Sequence, residues 1–110
     1  MADIDFKSID QQFGALAAKL FPSYIGQATQ DARNFLESSK AKYIGYVEQL
    51  ALPAPDGIDQ DDFNDYMLDL QALAEMELLT QEGLAQVAID QFTSGVIGIL
   101  INAGLSAVKL

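Results

Sequence analysis

The densest group of side chains that could do chemistry is a run of six Asp residues between positions 56 and 69. An EF-hand calcium loop has a similar composition, but it needs ligands at its first positions, a central glycine and a closing glutamate. With Gly57 as the central glycine, the first and last positions fall on Leu52 and Phe63, which cannot bind a metal. We therefore interpret the acids as charge at a helix start, where they accept exposed backbone N–H groups. Loose divalent binding stays open as an alternative.

Other catalytic patterns are incomplete. The chain has no His, Cys or Trp, which excludes zinc fingers, thiol catalysis and mechanisms that depend on His. The segment from Gly95 to Gly98 lacks the preceding strand and the third glycine of a phosphate-binding loop. We therefore predict that the protein is not an enzyme and that it has no catalytic residue, cofactor or metal.

The remaining polar residues are interpreted structurally. Asp61, Asp62, Asp65 and Asp69 have the spacing of a solvated helix face rather than of a catalytic carboxylate pair, which needs a desolvated pocket. Glu75 and Glu77 interrupt apolar positions, and we expect one of them to be partly buried and to contact Lys or Arg of another subunit. Tyrosines at helical spacing are expected in the core, with hydroxyls that reach its edge; they are Tyr24, Tyr43, Tyr46 and Tyr66.

The charge is large and uneven. The chain has 16 acidic and 6 basic residues, a net charge of -10. Residues 1–52 carry six acids and five bases, a net charge of -1, and residues 53–110 carry ten acids and only Lys109, a net charge of -9. Such a surface repels nucleic acid and anionic lipid. It suits a basic protein partner or mimicry of a polyanion, and it also simply favours solubility.

Apolar spacing predicts helices in the first half. Ser8 is a candidate N-cap, with Gln11 three positions on, followed by Ile9, Phe13 and Ala17 on one face. The helix should end at Phe21-Pro22, because proline lacks the N–H group and crowds the preceding turn. A second apolar stripe from Ile25 to Leu50 predicts a helix of nearly thirty residues. Pro53, Pro55 and Gly57 then predict a turn over residues 53–58.

The second half is also predicted to be helical. Its first stripe is Phe63, Tyr66, Met67, Leu70, Leu73 and Ala74, and a second face carries Leu68, Ala72, Met76 and Leu79. Such a helix either lies at the centre of a bundle or meets a second copy of the chain. Thr80-Gln81-Glu82-Gly83 is ambiguous, and we favour one helix that continues through it to residue 108 over two separate helices. The fold class is therefore all-α, with three or four helices in an antiparallel bundle and residues 1–110 forming a single domain.

The stretch from Gln91 to Val108 contains no charge. Its length permits a membrane span, since a bilayer needs about 20 apolar residues. Its content of Gln, Thr, Ser, Asn and Gly, without flanking basic clusters, instead favours a helix packed against neighbours and a second subunit. Ser94, Gly95 and Gly98 would permit close helix packing in either case. Further apolar residues that would be hidden by homo-oligomerisation are Ile97, Ile101, Leu105 and Val108.

The first residues, Met1 to Asp5, contain no basic segment or early apolar run and do not resemble a secretory signal. The lack of cysteine is compatible with a reducing compartment. We expect a cytoplasmic protein.

Several stretches of the second half resemble a known type of protein. They are Asp69-Leu70-Gln71-Ala72-Leu73-Ala74-Glu75-Met76, Gln81-Glu82-Gly83-Leu84-Ala85, Ile89-Asp90-Gln91-Phe92 and Gly95-Val96-Ile97. The pattern is similar to that of small, uncharacterised helical proteins of roughly a hundred residues from bacteria and their prophages. The resemblance implies a helical fold and no particular activity or site residue.

Three functions are compatible with these observations. The first is a structural or interaction protein that forms a helical homo-oligomer, with or without a further protein partner. The second is a membrane-associated protein that uses the uncharged stretch Gln91–Val108. The third is an acidic inhibitor that blocks a basic partner.

Overall fold

The chain folds as four α-helices, as seen in a computed structural model that describes residues 4–53, 56–77 and 86–108. No strand occurs in those residues. The helices are α1 (Phe6–Leu20), α2 (Ile25–Ala51), α3 (Gln60–Glu77) and α4 (Gln86–Ala107). The all-α class predicted from the sequence is confirmed.

The helices form an antiparallel bundle in which each helix packs against its neighbours in the chain and α4 closes the ring against α1. The rings of Phe6 and Tyr43 lie 6.4 Å apart, while Asp10 pairs with Arg33, so α1 and α2 run in opposite directions. In the same way, Phe63 near the start of α3 lies against Gly104 near the end of α4.

The expectation of one continuous helix over residues 59–108 is wrong. Because α3 and α4 pack side by side in opposite directions, the chain reverses between them. The ambiguous segment Thr80–Gly83 lies outside the described residues. Helical spacing on both sides of such a segment cannot reveal a reversal, since each helix keeps its own apolar stripe.

The start of α1 also differs from the sequence prediction. Its N-cap is Asp5, whose carboxylate accepts the backbone N–H of Ser8 at 2.9 Å. Ser8 lies inside the first turn, and its hydroxyl accepts a hydrogen bond from the Gln12 amide at 3.0 Å. Asp and Ser are about equally good caps, so residue type alone could not choose between the two positions.

The second helix matches its prediction closely, with 27 residues from Ile25 to Ala51. The Arg33 guanidinium connects it to α1 by hydrogen bonds to the Asp10 carboxylate, which lower the pKa of that carboxyl group. Both side chains remain about half exposed, so solvent screening leaves this pair a small contribution to stability.

The connection between α2 and α3 depends on Gly57. Its N–H donates to the carbonyl of Pro53, and the next N–H, of Ile58, donates to the carbonyl of Gln49. A Cβ atom at Gly57 would collide with the carbonyl oxygen of Leu52 and lie 2.7 Å from that of Gln49. Only glycine therefore lets the chain pass this closely under the end of α2.

The core lies along the bundle axis and receives side chains from all four helices. At one end of the core, where α1 ends and α4 begins, the rings of Phe21 and Phe92 make an edge-to-face contact with centroids 5.6 Å apart. The buried side chains are Ile9, Phe13, Ala17, Phe21, Ala28, Ala32, Phe35, Tyr43, Val47, Leu50, Phe63, Met67, Leu70, Ala74, Phe92, Val96, Ile97 and Leu100. They include the central positions of the stripes predicted from helical spacing for α1, α2 and α3.

Two glycines let α4 approach its neighbours. A Cβ atom at Gly95 would lie 2.6 Å from a methyl carbon of Leu16. One at Gly104 would lie 2.8 Å from Cζ of Phe63 and 3.1 Å from Cγ2 of Val47. At Gly98, by contrast, a Cβ atom would meet nothing within 4 Å in the described part of the chain. Close packing at Gly95 agrees with the sequence prediction, whereas Gly98 faces open space.

Candidate functional site

The acidic segment before α3 acts as a helix start. The Asp59 carboxylate accepts the backbone N–H of Asp62 at 2.8 Å, as expected for an acidic cap. Asp61, Asp65 and Asp69 are exposed. Within residues 4–53, 56–77 and 86–108, no three acidic side chains are grouped so that they could hold a metal ion.

The four tyrosines do not share one environment. Tyr43 is fully buried, and its hydroxyl donates a hydrogen bond to the carbonyl oxygen of Leu100 at 2.6 Å. Tyr46 and Tyr66 are half-buried, with ring centroids 5.1 Å apart between α2 and α3. Tyr24 is 48% exposed, so its assignment to the core is wrong. It lies at the break between α1 and α2, where helical spacing no longer determines which residues face inwards.

Replacing Tyr43 by phenylalanine should change the pH dependence of stability. Burial raises the pKa of Tyr43 above its usual value of about 10. The folded state then holds the phenolic proton more tightly than the unfolded state does. This contribution is fully present below about pH 10 and decreases by about 1.4 kcal/mol per pH unit above it.

Tyr43→Phe should cost about 1 kcal/mol at pH 8, from the lost hydrogen bond. Above about pH 10 the difference from the wild type should shrink, because only the wild type loses stability through this group. Urea unfolding from pH 8 to pH 11 measures both effects. Since the other tyrosines are common to both proteins, parallel pH profiles would contradict the assignment.

A polar groove lies between the start of α1 and the end of α4, with a volume of about 320 Å³. Its polar lining consists of Asp5, Ser8, Gln12, Asn102 and Ser106. Asp5 is occupied as the α1 cap, and the Ser8 and Gln12 side chains bond to each other. Asn102 and Ser106 are the polar lining residues whose side chains make no hydrogen bond in the described part of the chain, and two neutral groups alone do not define a ligand site.

One pattern relevant to catalysis was missed in the sequence: Ser39 and Lys42 have Ser-x-x-Lys spacing. The structure gives it no catalytic geometry, because Ser39 is buried at 3% exposure while Lys42 is exposed on the surface. A nucleophile needs both its base and access to substrate.

The outer side of α3 is the first of two candidate binding surfaces, because it combines exposed apolar and acidic side chains. Leu68 is 57% exposed, Met76 is 73% exposed, and Ala72 between them is exposed too. Four exposed acids share this side of the helix: Asp61, Asp65, Asp69 and Glu75. We call these seven residues the α3 outer face. Of the two acids of which one was expected to be partly buried, Glu75 is exposed, and the Glu77 side chain lies outside the described part of the structure.

The second surface runs along the outer side of α4. It has alternating spacings of four and three residues, which place every member on one helix side as in a coiled-coil seam. The residues, which we call the α4 seam, are Val87, Gln91, Ser94, Gly98, Ile101, Leu105 and Val108. Val87, Gln91 and Ser94 are exposed and the other four are half-buried. None of the seven is charged.

The α4 seam was only partly recognised from the sequence. Ile101, Leu105 and Val108 were expected to form an extra apolar stripe with Ile97, but Ile97 belongs to the core at 2% exposure. The complete seam could have been found by following the four–three spacing back to Val87. Because Gln91, Ser94 and Gly98 are not apolar, the first half of the seam does not stand out as an apolar stripe in the sequence.

One helix in the described residues, Gln86–Ala107, is long and apolar enough to cross a membrane. The mean hydropathy of its best window is 1.3, and 33% of that window is buried inside the bundle. A core helix of a water-soluble protein can have the same length and composition.

Comparisons with known proteins give no relative. No protein-family model matches the chain, and neither curated proteins nor solved structures include a significant match. The resemblance to small bacterial and prophage helical proteins therefore stays a prediction.

Proposed function

We propose that this protein is a non-catalytic structural or interaction protein that associates with copies of itself through the α4 seam. One observation carries the proposal: a continuous uncharged helix face, with coiled-coil spacing, on a chain with a net charge of -10. Asp90 is the only ionisable residue in α4; it is exposed at the edge of the seam near the start of the helix, where it accepts a hydrogen bond from the Gln86 amide at 2.9 Å.

Charge favours this face for self-association. In a two-fold dimer the same patch meets itself, so each acid in the patch is brought near its own copy. The α3 outer face, with four acids, would generate strong repulsion in such a contact. The seven residues of the α4 seam are all neutral, and Asp90 is the single acid at their edge.

The shape of the seam supports the same partner. Ser94 and Gly98 lie at its centre and are small, so a second helix can approach closely there. Ile101, Leu105 and Val108 would then supply apolar contact towards the end of the helix, and Val87 at its beginning. Alternation of four and three residues keeps such contacts facing a partner helix along the whole seam.

Membrane association is the second candidate, favoured by the length and hydropathy of α4. Insertion of α4 would separate its core side from the bundle. That separation would break the hydrogen bond from Tyr43 to Leu100 and the contact between Phe21 and Phe92. Self-association needs neither change, and it also leaves Gln91 and Asn102 in contact with water or protein rather than lipid.

Size-exclusion chromatography with light scattering tests the proposal directly. The wild type, expressed without detergent, should elute as one species at a small multiple of 11.9 kDa. Gly98→Glu should elute as a monomer at the same concentration, because its side chain has open space within the chain but would meet the second copy. Gly14→Glu is the matched control, since a Cβ at Gly14 also meets nothing within 4 Å in the described chain.

A monomeric wild type would reject self-association. An oligomer of Gly98→Glu as stable as that of Gly14→Glu would place the contact elsewhere on the molecule. Wild-type protein that aggregates unless detergent or liposomes are present would instead support the membrane function.

A further inference from the structure

The α3 outer face includes exposed apolar side chains that do not belong to the core of the bundle. The opposite side of α3 is buried in the core and consists of Phe63, Met67, Leu70 and Ala74. The helix packs against α2 and α4, and Leu68, Ala72 and Met76 remain exposed. Exposure of 57% at Leu68 and 73% at Met76 is costly in water unless a partner covers these side chains.

The charges around this apolar surface all have one sign. Helix α3 contains six acids and no basic residue. Asp61, Asp65 and Asp69 follow each other at four-residue spacing, so neighbouring carboxylates repel each other along the helix. Cations placed beside them would relieve this repulsion. The face therefore offers both apolar contact and electrostatic attraction to a basic partner.

Other occupants fit the charges poorly. A second copy that used the same face would set acids against acids. The remainder of a second copy offers no net positive surface, because residues 1–52 have a net charge of -1 and Arg33 is paired with Asp10. Its exposed lysines are spread over two helices, Lys7 and Lys19 on α1 and Lys42 on α2. Anionic lipid and nucleic acid are repelled.

We propose that the α3 outer face binds a basic amphipathic helix of another protein. Apolar side chains of that helix, spaced three or four residues apart, pack on Leu68, Ala72 and Met76. Its Lys or Arg residues lie beside Asp61, Asp65, Asp69 and Glu75. This mode of recognition places the apolar side of one helix on the exposed apolar surface of another. The proposal is independent of self-association, since it uses a different helix.

The probe is a synthetic peptide of Leu and Lys, designed as an amphipathic helix and equal in length to the 18 residues of α3. Binding to the full-length protein is followed by fluorescence anisotropy of a labelled peptide at low and at high salt. A peptide with Glu in place of every Lys controls for purely apolar adhesion. We expect the Lys peptide to bind and the Glu peptide not to bind. Raising the salt should weaken binding, because exposed charge pairs are screened.

Two double variants separate the apolar and electrostatic contributions. Leu68→Gln with Met76→Gln leaves the net charge unchanged, and Asp65→Asn with Asp69→Asn leaves the apolar side chains unchanged. Each pair should weaken binding by about tenfold or more, as expected for central contacts of an interface. The matched control is Glu37→Gln with Glu48→Gln, which changes the net charge equally at exposed positions on α2 and should alter binding by less than about twofold.

Three results would overturn the proposal. If the Asp65 and Asp69 double variant and the Glu37 and Glu48 control weakened peptide binding equally, the attraction would be a non-specific one to an acidic protein. Absence of peptide binding at low salt would reject a basic helical partner. Flotation with phosphatidylcholine vesicles that is lost in the Leu68 and Met76 variant, without peptide binding, would assign the face to lipid. Chromatography of the same variants shows whether self-association persists, so failure here is distinct from failure of the proposed function.

Discussion

Replacing Ile97 by aspartate should unfold the protein, whereas the same change at Ile101 should leave it folded and monomeric. Ile97 is 2% exposed and belongs to the core. An unpaired carboxylate there loses its hydration without gaining a partner, at a cost of several kcal/mol. Since small domains are stable by only about 5–15 kcal/mol, this change removes most or all of that stability.

The position of Ile101 makes its effect different. It is half-buried at the edge of the α4 seam, so a carboxylate there can reach water in the monomer. In the proposed oligomer it would face a second copy with the same charge. Circular dichroism in urea measures folding, and light scattering measures association.

Ile97→Val is the control for the core position. It removes one methylene and should cost about 0.5–1.5 kcal/mol. A folded Ile97→Asp protein with nearly wild-type stability would contradict the position of Ile97 in the core. An Ile101→Asp protein that keeps its wild-type mass would contradict the α4 seam as the interface.

Gly104→Ala should destabilise the bundle by up to about 2 kcal/mol, because overpacking costs about 1–3 kcal/mol and the better helix propensity of alanine offsets about 1 kcal/mol of it. The new Cβ would lie 2.8 Å from Cζ of Phe63 and 3.1 Å from Cγ2 of Val47. Both neighbours are fully buried, so neither can move without disturbing the core. Alanine is a better helix former than glycine, by about 0.8–1.0 kcal/mol, but this gain is smaller than the expected strain.

Gly14→Ala makes the same chemical change where there is room. A Cβ at Gly14, in the middle of α1, meets nothing within 4 Å in the described part of the chain. Helix propensity should then dominate and stabilise the protein by about 0.5–1 kcal/mol. Thermal or urea unfolding compares the two variants. If both changed stability in the same direction, the close approach of α4 to α2 and α3 would be wrong.

Most of the core could be predicted from the sequence, because helical spacing determines which residues share a face. Ile9, Phe13 and Ala17 in α1 show this, as do Phe63 and Met67 in α3. Helical spacing did not predict where a helix begins or where the chain turns. Asp5 rather than Ser8 caps α1, because Asp and Ser cap helices about equally well and residue type does not choose between them. The chain reverses between α3 and α4, which depends on tertiary packing that spacing does not reveal.

The candidate surfaces were predictable in part. Leu68, Ala72 and Met76 were recognised as a second apolar face of α3, but only the arrangement of neighbours shows that the helices of the described residues leave it exposed. Gly95 and Gly98 appeared equivalent in sequence. The structure separates them, since Gly95 packs on Leu16 and Gly98 faces outwards, and this difference turns Gly98 into a test of self-association.

The polar groove between α1 and α4 also determines where the chain could be reconnected. Because Asp5 and Ala107 line the same groove, the start of the first helix and the end of the last lie side by side. A short linker could therefore join them in a circular permutant without altering the order of neighbours in the bundle. The connection between α2 and α3 is less suited to a new opening, since Gly57 and Ile58 are bonded beneath the end of α2.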